Sequence, residues 1–104
     1  MAWTVKMAAK AEKEFLSMCK NGELSREDLN IIRTWLNEME EEGPGFIAAS
    51  RFWGDHELHY EWSGHRASCF SNAGRIIYRV KDREVIVEVH RVTTDHDYRK
   101  GEQS

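Results

Sequence analysis

A chain of 104 residues has room for one domain and one core, because a second would leave halves too small to fold well without staples. A composition of 40% hydrophobic, 11% aromatic and 32% charged residues excludes disorder, collagen and low complexity, and no apolar run approaches the ~20 residues of a membrane helix. The net charge of −3 arises in residues 1–42, with six Lys/Arg against nine Asp/Glu, whereas residues 43–104 carry nine of each; that balance disfavours nonspecific duplex binding but permits a local cationic cleft.

Met1-Ala2-Trp3-Thr4-Val5-Lys6 has no basic flank leading into an apolar signal core, which predicts a cytoplasmic protein. Cys19 and Cys69 are accordingly expected as reduced thiols. Trp3 to Met7 alternates around β-branched Thr4 and Val5, the pattern of a short strand. Ala8 to Lys20 is rich in helix formers and meets Gly22, so it predicts a first helix with a glycine stop. Ser25-Arg26-Glu27-Asp28 is a relative of the capping box, and Leu29, Ile32, Trp35, Leu36 and Met39 behind it form one apolar helical face. Gly43-Pro44-Gly45 ends that second helix.

Beyond the break the period changes to two. Leu58 to Trp62, His65 to Phe70, Arg75 to Val80 and Glu84 to Val92 read as strands of an antiparallel meander, separated by turn-forming Ser63-Gly64, Ser71 to Gly74 and Lys81 to Arg83. Val85, Val87 and Val89 should face the helices, with Ile86, Glu88 and His90 on a wet face. The fold predicted is α+β: two N-terminal helices packed on a four- to five-stranded, mainly antiparallel sheet. Residues 1–104 form one domain, with 99–104 as a tail.

The second half gathers His56, His59, His65, Arg66, Arg75, Arg79, His90, Arg91, His96 and Tyr98. Histidine titrates near neutrality and arginine grips phosphate oxygens as a fork, so together they suit phosphodiester chemistry. On composition alone they also read as the charged, solvated face of a sheet, paired with Glu61, Glu84, Glu88, Asp95 and Asp97. His56-Glu57-Leu58-His59 is a poor metal motif, since strand positions 56 and 59 point to opposite faces and no Cys pair or HExxH accompanies them. Cys69 lacks a nucleophile elbow and reads as a small buried residue, Trp35 and Phe15 read as core, and Trp53 and Trp62 as core or base-stacking platforms.

Trp62-Ser63-Gly64-His65-Arg66, then Arg75-Ile76-Ile77-Tyr78-Arg79-Val80-Lys81-Asp82, then Val87-Glu88-Val89-His90-Arg91 and a closing Asp97-Tyr98 resemble the RelE/ParE toxin superfamily, nearest in spacing to YafQ-like and YoeB-like mRNA interferases. The resemblance spans roughly residues 3–98. It implies a metal-independent, cofactor-free endoribonuclease that cleaves mRNA on the ribosome by driving the 2′-hydroxyl at the adjacent phosphate. It also implies a cognate antitoxin that blocks the toxin. The catalytic set it implies is His56 as general base or acid, Arg75 and Arg91 as phosphate clamps, and His96 and Tyr98 as proton donor or base, with Arg66, Arg79, Arg51 and His65 contacting RNA. Strict alternation puts Arg91 on the valine side of its strand, so its role calls for a bulge near His90. The alternative within the superfamily is a ParE-like inhibitor of DNA gyrase. Codon preference and oligomeric state are left open.

Overall fold

The computed structural model describes residues 3–91, Arg91 by its backbone alone. The elements are β1 (Thr4–Lys6), α1 (Ala9–Lys20), α2 (Arg26–Glu42), α3 (Pro44–Ala49), β2 (His56–Glu57), β3 (Arg66–Cys69), β4 (Gly74–Lys81) and β5 (Glu84–Arg91), with 3-10 turns at Arg51–Trp53 and Tyr60–Trp62. They build an α+β fold around one five-stranded sheet of order β1-β5-β4-β3-β2. β1 runs parallel to β5 at one edge, and every other pair is antiparallel.

The local chemistry explains each boundary. At the start of α2, Ser25 Oγ accepts from the Asp28 N–H at 3.0 Å and Asp28 Oδ2 accepts from the Ser25 N–H at 3.0 Å, so the capping box closes with aspartate in place of glutamate. At its end Gly43 adopts φ 91°, and a Cβ there would strike the indole of Trp3. Pro44 then occupies the first turn of α3, where its missing N–H costs no bond. This third helix corrects the expectation of two: the Gly-Pro-Gly break ends one helix and also starts the next.

The second correction concerns Leu58 to Trp62, expected as a strand. The extended pairing is confined to His56–Glu57, after which the chain leaves the sheet, Tyr60 takes a left-handed φ of 57° and residues 60–62 form a 3-10 turn. Leu58 remains tied to the strand path through its N–H to the His65 carbonyl at 3.0 Å, and its side chain is buried. The alternation that suggested a strand records that burial in a loop rather than ladder pairing.

The core lies between the helices and one sheet face, where Trp35, Met39, Ile47, Trp53, Ile76, Tyr78, Val85, Val87 and Val89 are buried. The valines therefore face the helices, as their alternation predicts. Each such aliphatic side chain contributes about 1.5–3 kcal/mol on burial. Phe15 packs against this cluster, and Trp53, which the sequence left between core and platform, belongs to it. On the opposite face Leu58, Ala67 and Ile77 make a smaller cluster under half-buried Trp62. Gly74 is required at the β3–β4 turn, because a Cβ there would run into the ring of Phe70. Among the described residues no helix is long and apolar enough to cross a membrane.

Candidate active site on the open face of the sheet

Strand register decides which side chains meet. Cys69 pairs with Arg75 across β3 and β4, and Arg75 pairs with His90 across β4 and β5. The neighbouring row runs His56, Ala67, Ile77, Glu88 from β2 to β5. Because Ile76, Val87 and Val89 point into the main core, these two rows occupy the opposite face of the sheet, with the start of α1 beside its β5 end. His56 and Arg75 thus share one face, two strand spacings apart across the sheet and two residues apart along it, about 12 Å.

Arg75 is anchored over the β3–β4 turn. Its Nη1 donates to the carbonyls of Gly74 at 2.9 Å, Ser71 at 3.1 Å and Asn72 at 3.2 Å. His56 is oriented by its Nδ1, 3.1 Å from the Gly54 carbonyl. A carbonyl only accepts, so Nδ1 of the neutral ring carries the proton and Nε2 is its basic nitrogen. Cys69 Sγ lies 4.0 Å from the same carbonyl and is half-buried rather than buried as the sequence suggested. It sits on the open face, which the small cluster under Trp62 covers only in part.

Beneath this face sits a polar network the sequence reading missed. The Asp55 side chain has no exposed surface. It accepts from Arg66 Nε at 2.6 Å, Ser68 Oγ at 2.7 Å and Tyr78 OH at 2.6 Å. Ser68 Oγ in turn accepts from Trp35 Nε1 at 3.0 Å, which satisfies an indole on α2 that is wholly inside the core. Burial, and then the bond to the Asp55 carboxylate and its charge, hold the Tyr78 phenol far above its ordinary range. Burial acts to lower the Arg66 guanidinium, but its bond to Asp55 and the carboxylate charge outweigh that and raise it. The network fastens the loop carrying Gly54 and His56 to β3 and β4. A single Asp before a histidine carries no local signature of three converging donors, because those donors come from strands paired much later in the chain.

A second group lies along β5. His90 Nε2 is 3.0 Å from Glu88 Oε1, and the Trp62 ring packs edge-on against His90 at 5.5 Å and His65 at 5.3 Å. The bond from His90 pulls the Glu88 carboxyl below its usual range; burial opposes this, and His65 and Lys10 add to the lowering. Trp62 and His65 are therefore part of the same surface as Arg75 and His90.

Other predicted site residues are dispersed. Arg66 holds Asp55 through Nε with about a third of its side chain exposed, 36%. Arg79 is exposed on β4 opposite Ile86, and Arg51 is exposed in the 3-10 turn after α3. The β4–β5 pairing runs without a bulge to Gly74 opposite Arg91, so the bulge expected near His90 is absent from the described residues. His96, Tyr98 and the side chain of Arg91 lie outside the described residues. Among the described residues, no three His, Cys, Asp or Glu side chains come together as a metal ligand set.

The architecture has solved counterparts. YafQ from E. coli strain BL21(DE3) is similar with a TM-score of 0.68 over 86% of this chain and 92% of that one, at 14% identity. The YoeB-YefM complex from Staphylococcus aureus gives a TM-score of 0.62 over 85% and 93% of the two chains, at 14% identity. A copper-bound mutant toxin from Helicobacter pylori gives 0.67 over 86% and 93%, at 18% identity. No protein-family model matches the chain, and no curated protein matches its sequence. The chain has the RelE-like toxin fold that its sequence resemblance implies.

Proposed function

We propose that this chain, folded as RelE-like toxins are, is the toxin of a toxin–antitoxin module and acts as a metal-independent endoribonuclease that cleaves mRNA on the ribosome and so stops translation. The observation that supports this most is that His56 and Arg75 stand on the same open sheet face, each held by backbone carbonyls. Groups positioned in advance lose little freedom when a substrate arrives, and orientation of that kind is a major source of rate.

In the reaction, His56 Nε2 takes the proton of the ribose 2′-hydroxyl as the 2′-oxygen attacks the adjacent phosphorus. Arg75 stabilises the charge that develops on the phosphate oxygens, and with no bulge in β5 among the described residues the role expected of Arg91 beside it is dropped. The bond from phosphorus to the 5′-oxygen breaks, and a proton from His96 or Tyr98 completes the leaving hydroxyl. The products are a 2′,3′-cyclic phosphate and a 5′-hydroxyl end. Arg79, on the same strand face as Arg75, and His65 beside Trp62 position the RNA, whereas Arg66 is committed to Asp55. Solved relatives include the YoeB-YefM and DinJ-YafQ complexes, which supports a cognate antitoxin as the protein partner.

Induction of the gene, followed by mapping of transcript ends, tests this reading. Cleaved mRNA is expected in arrested cells, with 2′,3′-cyclic phosphate and 5′-hydroxyl ends. Arg75→Ala should lower the rate by about 10²–10³. The formal charge of −3 is poorly suited to a polyanionic partner and keeps one rival, a ParE-like block of DNA gyrase. Arrest with intact transcripts and altered supercoiling would favour that rival.

A further inference from the structure

We infer that His90, held by Glu88, is the general acid of the reaction, protonating the leaving 5′-oxygen. This rests on the nuclease reading above and replaces His96 and Tyr98 in that one role. Three observations carry it. His90 stands directly across from Arg75 in the β4–β5 pairing, so their Cβ atoms are about 4.5–5.5 Å apart and a phosphate gripped by Arg75 lies within reach of the ring. Glu88 lies two residues away on the same strand face and binds His90 Nε2 at 3.0 Å, which directs Nδ1 to the reacting atoms. Trp62 packs edge-on against the ring at 5.5 Å and fixes its plane.

The surroundings suit a proton donor. Glu88 and His90 line an open cleft of about 420 Å³ beside α1, together with Ala8, Lys10, Ala11 and Glu14, so the pair is open to solvent. The charged and titratable groups facing it are Lys10 and Glu14 from α1, His65 beyond Trp62, and Arg75 from β4. The bond to His90 pulls the Glu88 carboxyl below its usual range, so Glu88 is the accepting partner of the pair. His56 on β2 and His90 on β5 lie on opposite sides of Arg75 on one sheet face, about 16 Å apart along the backbone, and of the two His90 is the direct neighbour of Arg75. In the complete step the 2′-proton passes to His56 Nε2, the phosphorus–5′-oxygen bond breaks, and the His90 Nδ1 proton goes to the 5′-oxygen. Glu88 is a positioning residue that touches no substrate.

The test compares wild type, His90→Gln and Glu88→Gln on ribosome-bound mRNA carrying either an ordinary linkage or a bridging 5′-sulfur at the cleavage site. A thiolate leaves without protonation, so only a lost general acid is bypassed. A glutamine amide reaches the position of Nε2 and keeps a donor toward Glu88, and thermal melting verifies that the variant is folded. His90→Gln should slow the ordinary linkage by about 10²–10³ and the sulfur linkage by less than about tenfold. Glu88→Gln should show the same selectivity at smaller amplitude. Equal losses on both linkages, or no loss on either while wild type cleaves, overturns the role of His90 and leaves the nuclease reading intact. Absence of cleavage by wild type on both linkages overturns the nuclease reading itself and this inference with it.

Discussion

A carboxylate withdrawn from solvent is stable only when its oxygens are bonded, and Asp55 meets that condition with donors from β3 and β4. Asp55→Asn should therefore destabilise the fold by about 2–4 kcal/mol, below the largest losses for buried pairs because Arg66 keeps partial solvent contact. Urea melts of the purified variant measure the loss. Tyr78 offers an independent test of the same network. Its folded-state pKa is raised, so it contributes stability that is complete below the ordinary phenol range and fades as pH rises beyond it. In an ultraviolet titration, Tyr78 should stay protonated until the protein unfolds. Ionisation of Tyr78 in the ordinary phenol range in the folded protein would contradict the hydrogen-bond assignment.

Among the elements, α2 and the β3–β4 hairpin make sharp predictions. Removing the reciprocal cap with Ser25→Ala should cost about 1 kcal/mol, and a double variant with Asp28→Ala should cost less than the sum of the singles, since both act through one box. Gly74→Ala should cost about 1–3 kcal/mol through the clash with Phe70, and Phe70→Leu in the same chain should recover part of it. The elements also separate what the sequence carries from what it does not. α2 was legible because its apolar spacing, cap and stop all agree, and β4 and β5 because alternation meets turn residues at both ends. β2 was not, since Leu58 and Trp62 are buried by a loop and mimic strand periodicity. α3 was hidden by Pro44, which signals a helix stop and a helix start equally well. In the candidate site, Arg75 and His56 stand out through their motif and Glu88 and His90 through their shared strand face, whereas the donors to Asp55 and the pairing of His90 with Arg75 need strand register that local sequence does not state.

For the whole molecule, the fold is shared with YafQ and YoeB at 13–14% identity. The pH response reports the open face as a unit. Glu88 is depressed by its bond to His90, so its contribution is present above the ordinary carboxylate range and is lost as pH falls through the lowered value. Glu88→Gln should therefore flatten the acid side of the stability profile, measured by melting temperature across pH ~5 to ~3. The central claim is that this face breaks a phosphodiester by transesterification. Its most direct measurement is the chemistry of the RNA ends made by purified protein on ribosome-bound mRNA. The account predicts 2′,3′-cyclic phosphate and 5′-hydroxyl termini that disappear with Arg75→Ala and with His56→Ala. Intact RNA, or 5′-phosphate ends that require a divalent metal, would contradict it.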